Sequence, residues 1–138
     1  MEFKWYKKFE IGSEKIDKQH QVLFEEMNNF LDACAKDRGR QEILNILNFL
    51  EKYVVEHFTD EEDLQRTINY PDYEYHMKLH ENLKNQIGQI KEEIANDGVS
   101  VSSVIETNRM LVRWLVEHIC NEDKAIGDYI RKNNLHVS

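Results

Sequence analysis

The chain has 138 residues, a formal net charge of −8, and 32% charged against 41% hydrophobic residues. That length suits one domain around one sizeable core, and the negative charge argues against nucleic acid or an anionic membrane as a partner. No apolar run approaches the ~20 residues needed to span a bilayer, and the opening MEFKWYKKFE lacks the apolar core of a signal peptide, so a cytoplasmic location is expected.

Residues 1–16 carry Phe3, Trp5, Tyr6, Phe9 and Ile11 with no clear period; they read as an arm that lays its aromatics on the body. From Asp17, a plausible N-cap, a helical stripe runs through His20, Leu23, Phe24, Met27, Phe30, Leu31 and Cys34, with Gly39 as its stop. A second helix starts near Gln41 and carries Ile43, Ile46, Leu47, Leu50, Val54, His57, Glu61 and Leu64 on one face. The segment INYPDY interrupts it, because Pro71 suits a first helical turn but not a helix interior.

The third helix presents Tyr73, His76, His80, Leu83, Ile87, Ile90 and Ile94, and ends at Asn96–Gly98. The fourth begins in the serines 100–103, where Ser103 and Glu106 match a capping box, and carries Val104, Leu111, Trp114, Leu115, His118 and Ile119. A last helical piece over Asp123–Lys132 offers Ile126 and Ile130. Four amphipathic helices with short loops predict an all-α, antiparallel up-down-up-down four-helix bundle over residues 17–132, with the N-terminal arm and a short C-terminal helix completing a single domain of 1–138.

In that topology His20, His57, His76, His80 and His118 all fall at one end of the bundle. At about 1.5 Å per residue each lies ~22–27 Å from the opposite end of its helix, so the four helices agree on one layer. Each histidine continues its helix's apolar stripe and should point inward, where an unpaired imidazole is costly. Five converging imidazoles would repel one another if protonated, which makes metal binding the economical reading. Glu61 follows His57 by four residues on the same face. Asp123 follows His118 by five, a step that turns about 140° away on a regular α-helix. Asp123 therefore joins the layer only if a π-type widening or a new helical segment intervenes. Asp60, Glu62 and Glu122 flank these acids and read as solvated charge, although Asp60 also lies near the face of Glu61.

His136 matches no such position and reads as surface. Cys120 should face away from the layer. Cys34 sits ~21 Å from the layer along the first helix, too far for a bond that needs Cα atoms within about 7 Å, so no disulfide is expected.

The ordered set of His20 in IDKQH, His57 and Glu61 in HFTDEE, His76 and His80 in HMKLH, and His118 and Asp123 in HICNED resembles the hemerythrin family, specifically its single-domain bacterial members. The YP before the third helix and the segment RWLVEHI share the likeness, which spans nearly the whole chain. The resemblance implies a centre of two non-haem iron ions (Fe2+/Fe3+) with an oxo or hydroxo bridge. By motif position His76, His80 and His118 would hold one iron; His20 and His57 would hold the other and leave it an open site; Glu61 and Asp123 would bridge the pair. Five nitrogens and two carboxylates suit iron better than an all-oxygen magnesium or calcium site. Ferritin-like di-iron sites use more carboxylates.

The function so implied is reversible O2 binding for storage, delivery or scavenging, with no covalent turnover of substrate. A dry pocket would slow oxidation, and by position Leu23, Phe24, Phe58, Trp114, Leu115 and Ile119 are its candidate walls. The alternatives are an oxygen or redox sensor module, weakened by the lack of an attached output domain, and a di-iron peroxide or nitric oxide reductase, weakened by the lack of a further inward acid or base. The sequence names no protein acceptor of O2 and no electron donor.

Overall fold

The computed structural model describes residues 3–36, 40–96, 109 and 112–137. After a short 3₁₀ turn at Lys7–Phe9, the helices are α1 (Glu14–Ala35), α2 (Arg40–Thr67), α3 (Tyr73–Ala95), α4 (112–118 of the described residues), a π-helical turn at Ile119–Asp123, and α5 (Lys124–Lys132). No strand occurs among the described residues. The helices alternate in direction. Gln19 and His20, early in α1, meet Asp60 and Glu61, late in α2. Glu51 of α2 pairs with Lys91 and Glu62 with His80, so α3 runs against α2. His76, at the start of α3, reaches Asp123 just beyond α4. The bundle is the all-α architecture that the periodicity predicts.

Helix α1 starts four residues earlier than expected. Ser13, not Asp17, is the N-cap: its hydroxyl accepts the Ile16 N–H at 3.3 Å. Asp17 is instead bent back to the arm, where its carboxylate accepts the N–H groups of Ile11 at 2.7 Å and Gly12 at 3.2 Å. Gly12 has φ +97°, a left-handed conformation that glycine adopts without steric cost. Asp17 thus fixes the turn by which the arm enters the bundle.

At its other end α2 stops in a Schellman motif. Asn69 is left-handed at φ 54°, Tyr70 N–H bonds Gln65 O at 2.9 Å, and Asn69 N–H bonds Arg66 O at 3.2 Å. Asn134 closes α5 in the same way. Gly39, Asp97 and Gly98, the serines 100–103, Val104, Glu106 and Leu111 lie outside the described residues, and with them the expected α1 stop and capping box.

The apolar stripes of α1 to α4 bury one core, from Leu23, Phe24 and Met27 of α1 to Val112 and Leu115 of α4. The arm packs Phe3, Trp5 and Phe9 against it, while Tyr6 stays half exposed. A second, smaller cluster joins Ile11 and Ile16 to Tyr70, Ile126 and Ile130, tying the arm to α5. That seam is tight at Gly127, where a Cβ would stand 2.7 Å from Ile11 Cα and 3.0 Å from its carbonyl oxygen. Gly127→Ala is therefore expected to destabilise the fold by about 1–3 kcal/mol through overpacking against backbone, despite alanine's better helix propensity. A chemical-denaturation midpoint at or above that of the native sequence would contradict the close approach. No described helix is long and apolar enough to cross a membrane.

Candidate metal centre

All seven residues expected in the layer are buried, with His20, His80, Glu61 and Asp123 fully so. They form two groups whose donor atoms lie within 4.8 Å of one another: His76, His80 and His118 with Glu61 and Asp123, and His20 and His57 with the same two acids. The acids divide themselves between the groups atom by atom. Glu61 Oε1 is 2.9 Å from His76 Nε2 and 3.1 Å from His80 Nε2, while Glu61 Oε2 is 3.3 Å from His20 Nε2 and 3.2 Å from His57 Nε2. Asp123 Oδ1 is 2.8 Å from His76 Nε2 and 3.2 Å from His118 Nε2, and its Oδ2 is 3.1 Å from His20 Nε2. One set has five donors and the other four, and each takes one oxygen from each carboxylate.

The π turn delivers the second acid. Because i→i+5 bonding closes its turn, residues five apart stack on one face, and Asp123 comes to rest over His118 rather than on the solvent side. The widening anticipated from the five-residue spacing is present.

Apart from the hydrogen bond between His20 Nε2 and Glu61 Oε2 at 3.3 Å, these contacts are close without being hydrogen bonds. His57, His76, His80 and His118 Nε2, Glu61 Oε1 and both Asp123 oxygens are buried and lack a hydrogen-bonded partner. Buried polar groups are rarely left so. Neighbouring ligands of an octahedral ion, bound at about 2.0–2.1 Å, stand roughly 3 Å apart, which is the spacing found here. The side chains converge on common points rather than on each other, and a pair of cations fits both donor sets. The cluster is a candidate two-metal site.

Electrostatics agree. Burial alone would lower the His20 pKa, but the close, negatively charged carboxylates of Asp123 and Glu61 lift it to about 9. His76 is carried against the same desolvation to about 10 by the same two acids, and Glu61 and Glu62 raise His80. His57 goes the other way, because burial outweighs the pull of Glu61. Burial pushes both acids up, yet the surrounding imidazoles hold Glu61 and Asp123 well below the carboxylate range. The two buried carboxylates thus favour the protonated forms of His20 and His76.

Aromatic rings brace the imidazoles. Phe58 stacks on His80 with centroids 3.7 Å apart and planes within 3°. Trp114 stacks on His118 at 5.4 Å, and Trp5 of the arm stands 6.0 Å from His20. Leu23, Phe24, Phe58, Leu115 and Ile119 are buried in the main core, and Trp114 is partly buried against it.

Sequence reasoning missed the outer contacts. Asp60 and Glu62 are not merely solvated charge. Glu62 Oε2 lies 2.8 Å from His80 Nδ1, and Asp60 accepts from Gln19 at 2.7 Å, which in turn meets His57 Nδ1 at 2.8 Å. The order Lys-Gln-His in α1 gives no signal for this, since it depends on how α1 is rotated against α2. Glu122 stays 4.0 Å from His118 Nδ1. Gln65, one turn past Glu61, is fully buried with neither amide atom hydrogen-bonded. Cys34 and Cys120 are both free, and burial pushes the Cys34 thiol up to about 11. His136 is exposed.

Comparison with known proteins points the same way. A family model described as "Hemerythrin HHE cation binding domain" matches residues 11–130. The chain is 28% identical over 123 residues to a myohemerythrin of Theromyzon tessulatum, covering 88% of each. It is 32% identical over 111 residues to a bacteriohemerythrin of Methylococcus capsulatus, covering 80% of this chain and 82% of that one. A crystal structure of a hemerythrin point mutant superposes with a TM-score of 0.77 at 27% identity, covering 91% of this chain and 95% of the other. Since the matched span takes in all seven clustered side chains, the chain belongs to the hemerythrin family.

Proposed function

We propose that this protein binds O2 reversibly at a pair of non-haem iron ions, for storage, delivery or scavenging. The observation that carries this reading is the inequality of the two donor sets, five atoms against four, sharing both carboxylates. His76, His80 and His118 hold one iron, and His20 and His57 hold the other. Glu61 and Asp123, which belong to both donor sets, would serve both ions together with an oxo or hydroxo group, and the set with one donor fewer would be the one to admit O2. Iron held there would supply the reversible electron donation that O2 binding requires.

The chain's own residues do the rest. Neutral imidazoles present lone pairs without adding charge, and two carboxylates offset the cations, so the buried cavity carries little excess charge. Leu23, Phe24, Phe58, Trp114, Leu115 and Ile119 wall the site and exclude the water and protons that would promote irreversible oxidation. Phe58 and Trp114 also restrict the His80 and His118 rings by stacking.

Oxygen-electrode titration of the reduced, iron-loaded protein tests this. The expected result is two irons and one O2 taken up per chain, with the O2 recovered under argon. Rapid oxidation with no recoverable O2, combined with steady turnover of peroxide or nitric oxide by an added reductant, would replace the carrier with an enzyme. O2 taken up reversibly only when a second protein is bound would favour a sensor.

A further inference from the structure

Two of the five imidazoles are held from behind, by different chemistry. His80 Nδ1 meets the Glu62 carboxylate directly at 2.8 Å. His57 Nδ1 meets a neutral amide, Gln19 Oε1, at 2.8 Å, and the other end of that amide, Nε2, meets Asp60 Oδ2 at 2.7 Å. Lys15 Nζ stands 3.4 Å from the second Asp60 oxygen and is largely exposed. The chain Lys15–Asp60–Gln19–His57 therefore zigzags across the α1–α2 seam from solvent to the four-donor set.

The direction of every hydrogen bond in it follows from its outer end. An ionised carboxylate accepts and never donates, so Asp60 admits only the NH2 end of Gln19. The Gln19 carbonyl oxygen is then the atom that faces His57. A carbonyl also only accepts, so His57 Nδ1 must carry the proton and donate it. A neutral imidazole has one such proton, and His57 Nε2 is left bare, 3.2 Å from Glu61 Oε2. Two acceptors then face each other inside a buried cavity, an arrangement that a cation between them relieves.

The geometry points to Asp60 as a positioning residue that touches no metal: through Gln19 it sets the tautomer of His57, and with it whether the four-donor set has its nitrogen lone pair. The consequence for metal binding rests on the di-metal reading above; the tautomer does not. The two sets are thus tuned unequally from outside, the five-donor side by an anion on His80 and the four-donor side by a neutral amide on His57. Partners of this kind commonly change metal affinity by about 10–100-fold.

Three variants separate this from plain structural support. Asp60→Asn offers an amide that both donates and accepts, so Gln19 is free to turn its NH2 toward His57 and drive the proton to Nε2. Gln19→Leu removes the acceptor. Gln19→Glu keeps an acceptor toward His57, its other oxygen sharing a proton with Asp60. Long-range 1H–15N spectra of the metal-free chain are expected to show His57 protonated at Nδ1 in the native sequence and in Gln19→Glu, and a mixture of tautomers in Asp60→Asn. Anaerobic ferrous titration against a competing chelator is expected to show the second ion weakened about 10–100-fold in Asp60→Asn and Gln19→Leu, the first changed far less, and two-ion binding restored by Gln19→Glu. A native His57 proton on Nε2, or an Asp60→Asn chain that binds its second ion as the native one does, overturns the proposal. Should the native chain take fewer than two ions while His57 still shows its Nδ1 proton, the di-metal reading fails and the tautomer lock stands.

Discussion

Replacing Glu61 by Gln is expected to empty both donor sets, lowering iron from two atoms per chain to fewer than one after anaerobic reconstitution and desalting. Glu61 touches four of the five imidazoles, at 2.9–3.3 Å, and is completely buried. An amide of the same shape supplies one oxygen to one set and turns its NH2 on the other. There it donates to a His Nε2 lone pair and caps the atom that should bind metal. The lost negative charge also leaves one carboxylate, Asp123, to offset two dications in a dry cavity, where an uncompensated charge costs several kcal/mol. Asp63→Asn, an exposed change two residues on in the same helix, is the matching control and should keep both irons. If Glu61→Gln retained two irons at native affinity, the ions would have to sit elsewhere.

Removing the metal is expected to reverse the sign of the pH dependence of stability. In the metal-free chain His20 and His76 are raised from 6.5 to about 9 and about 10. A histidine raised in this way contributes stability that is present in full below its unfolded value and is lost as pH rises through the folded one. Glu61 and Asp123 are depressed, so their contribution is present above the ordinary carboxylate range and is lost as pH falls through the lower folded values. The metal-free chain should therefore melt highest between about pH 5 and 6.5 and decline toward pH 9–10.

Metal needs the same imidazoles neutral, so each ion displaces stored protons and binds more tightly as pH rises over that window. The gap between loaded and metal-free melting temperatures should widen from pH 6.5 to 9. Each ion present at a thousandfold above its dissociation constant adds about 4 kcal/mol, and for a chain of this size two ions should raise the midpoint by roughly 20–30 °C. Release of about two protons per chain on loading, measured by calorimetry in buffers of different ionisation enthalpy, is the companion result. A gap that stays constant with pH would mean that these imidazoles hold no displaceable protons.

Much of this architecture is legible in the residues, for identifiable reasons. A stripe with helical period must be buried, so the period alone ranks Leu23, Val54 and Leu83 as core and sends the histidines inward. Helix direction then brings them to one end. The four-residue step from His57 to Glu61 needs no special backbone. The five-residue step from His118 to Asp123 does, and the need for it announces the π turn. What escapes the sequence depends on competition or on rotation. Ser13 and Asp17 are both capping types four residues apart, and the arm decides between them by requiring Asp17 for its Gly12 turn. The alliance of Gln19 with Asp60 depends on how two helices are turned about their axes, which periodicity leaves free by tens of degrees. The backbone contact at Gly127 involves Ile11, more than a hundred residues away in the chain.

The chain has two tryptophans, and the fold has placed one beside each donor set. Trp114 lies flat on His118 of the five-donor set, and Trp5 leans on His20 of the four-donor set. Indole emission is quenched by a nearby open-shell ion, so filling either position should darken its own tryptophan first. With Trp5→Phe and Trp114→Phe as single-fluorophore versions, the protein becomes its own two-channel optical gauge, reporting in real time which half of the centre loads and which half empties.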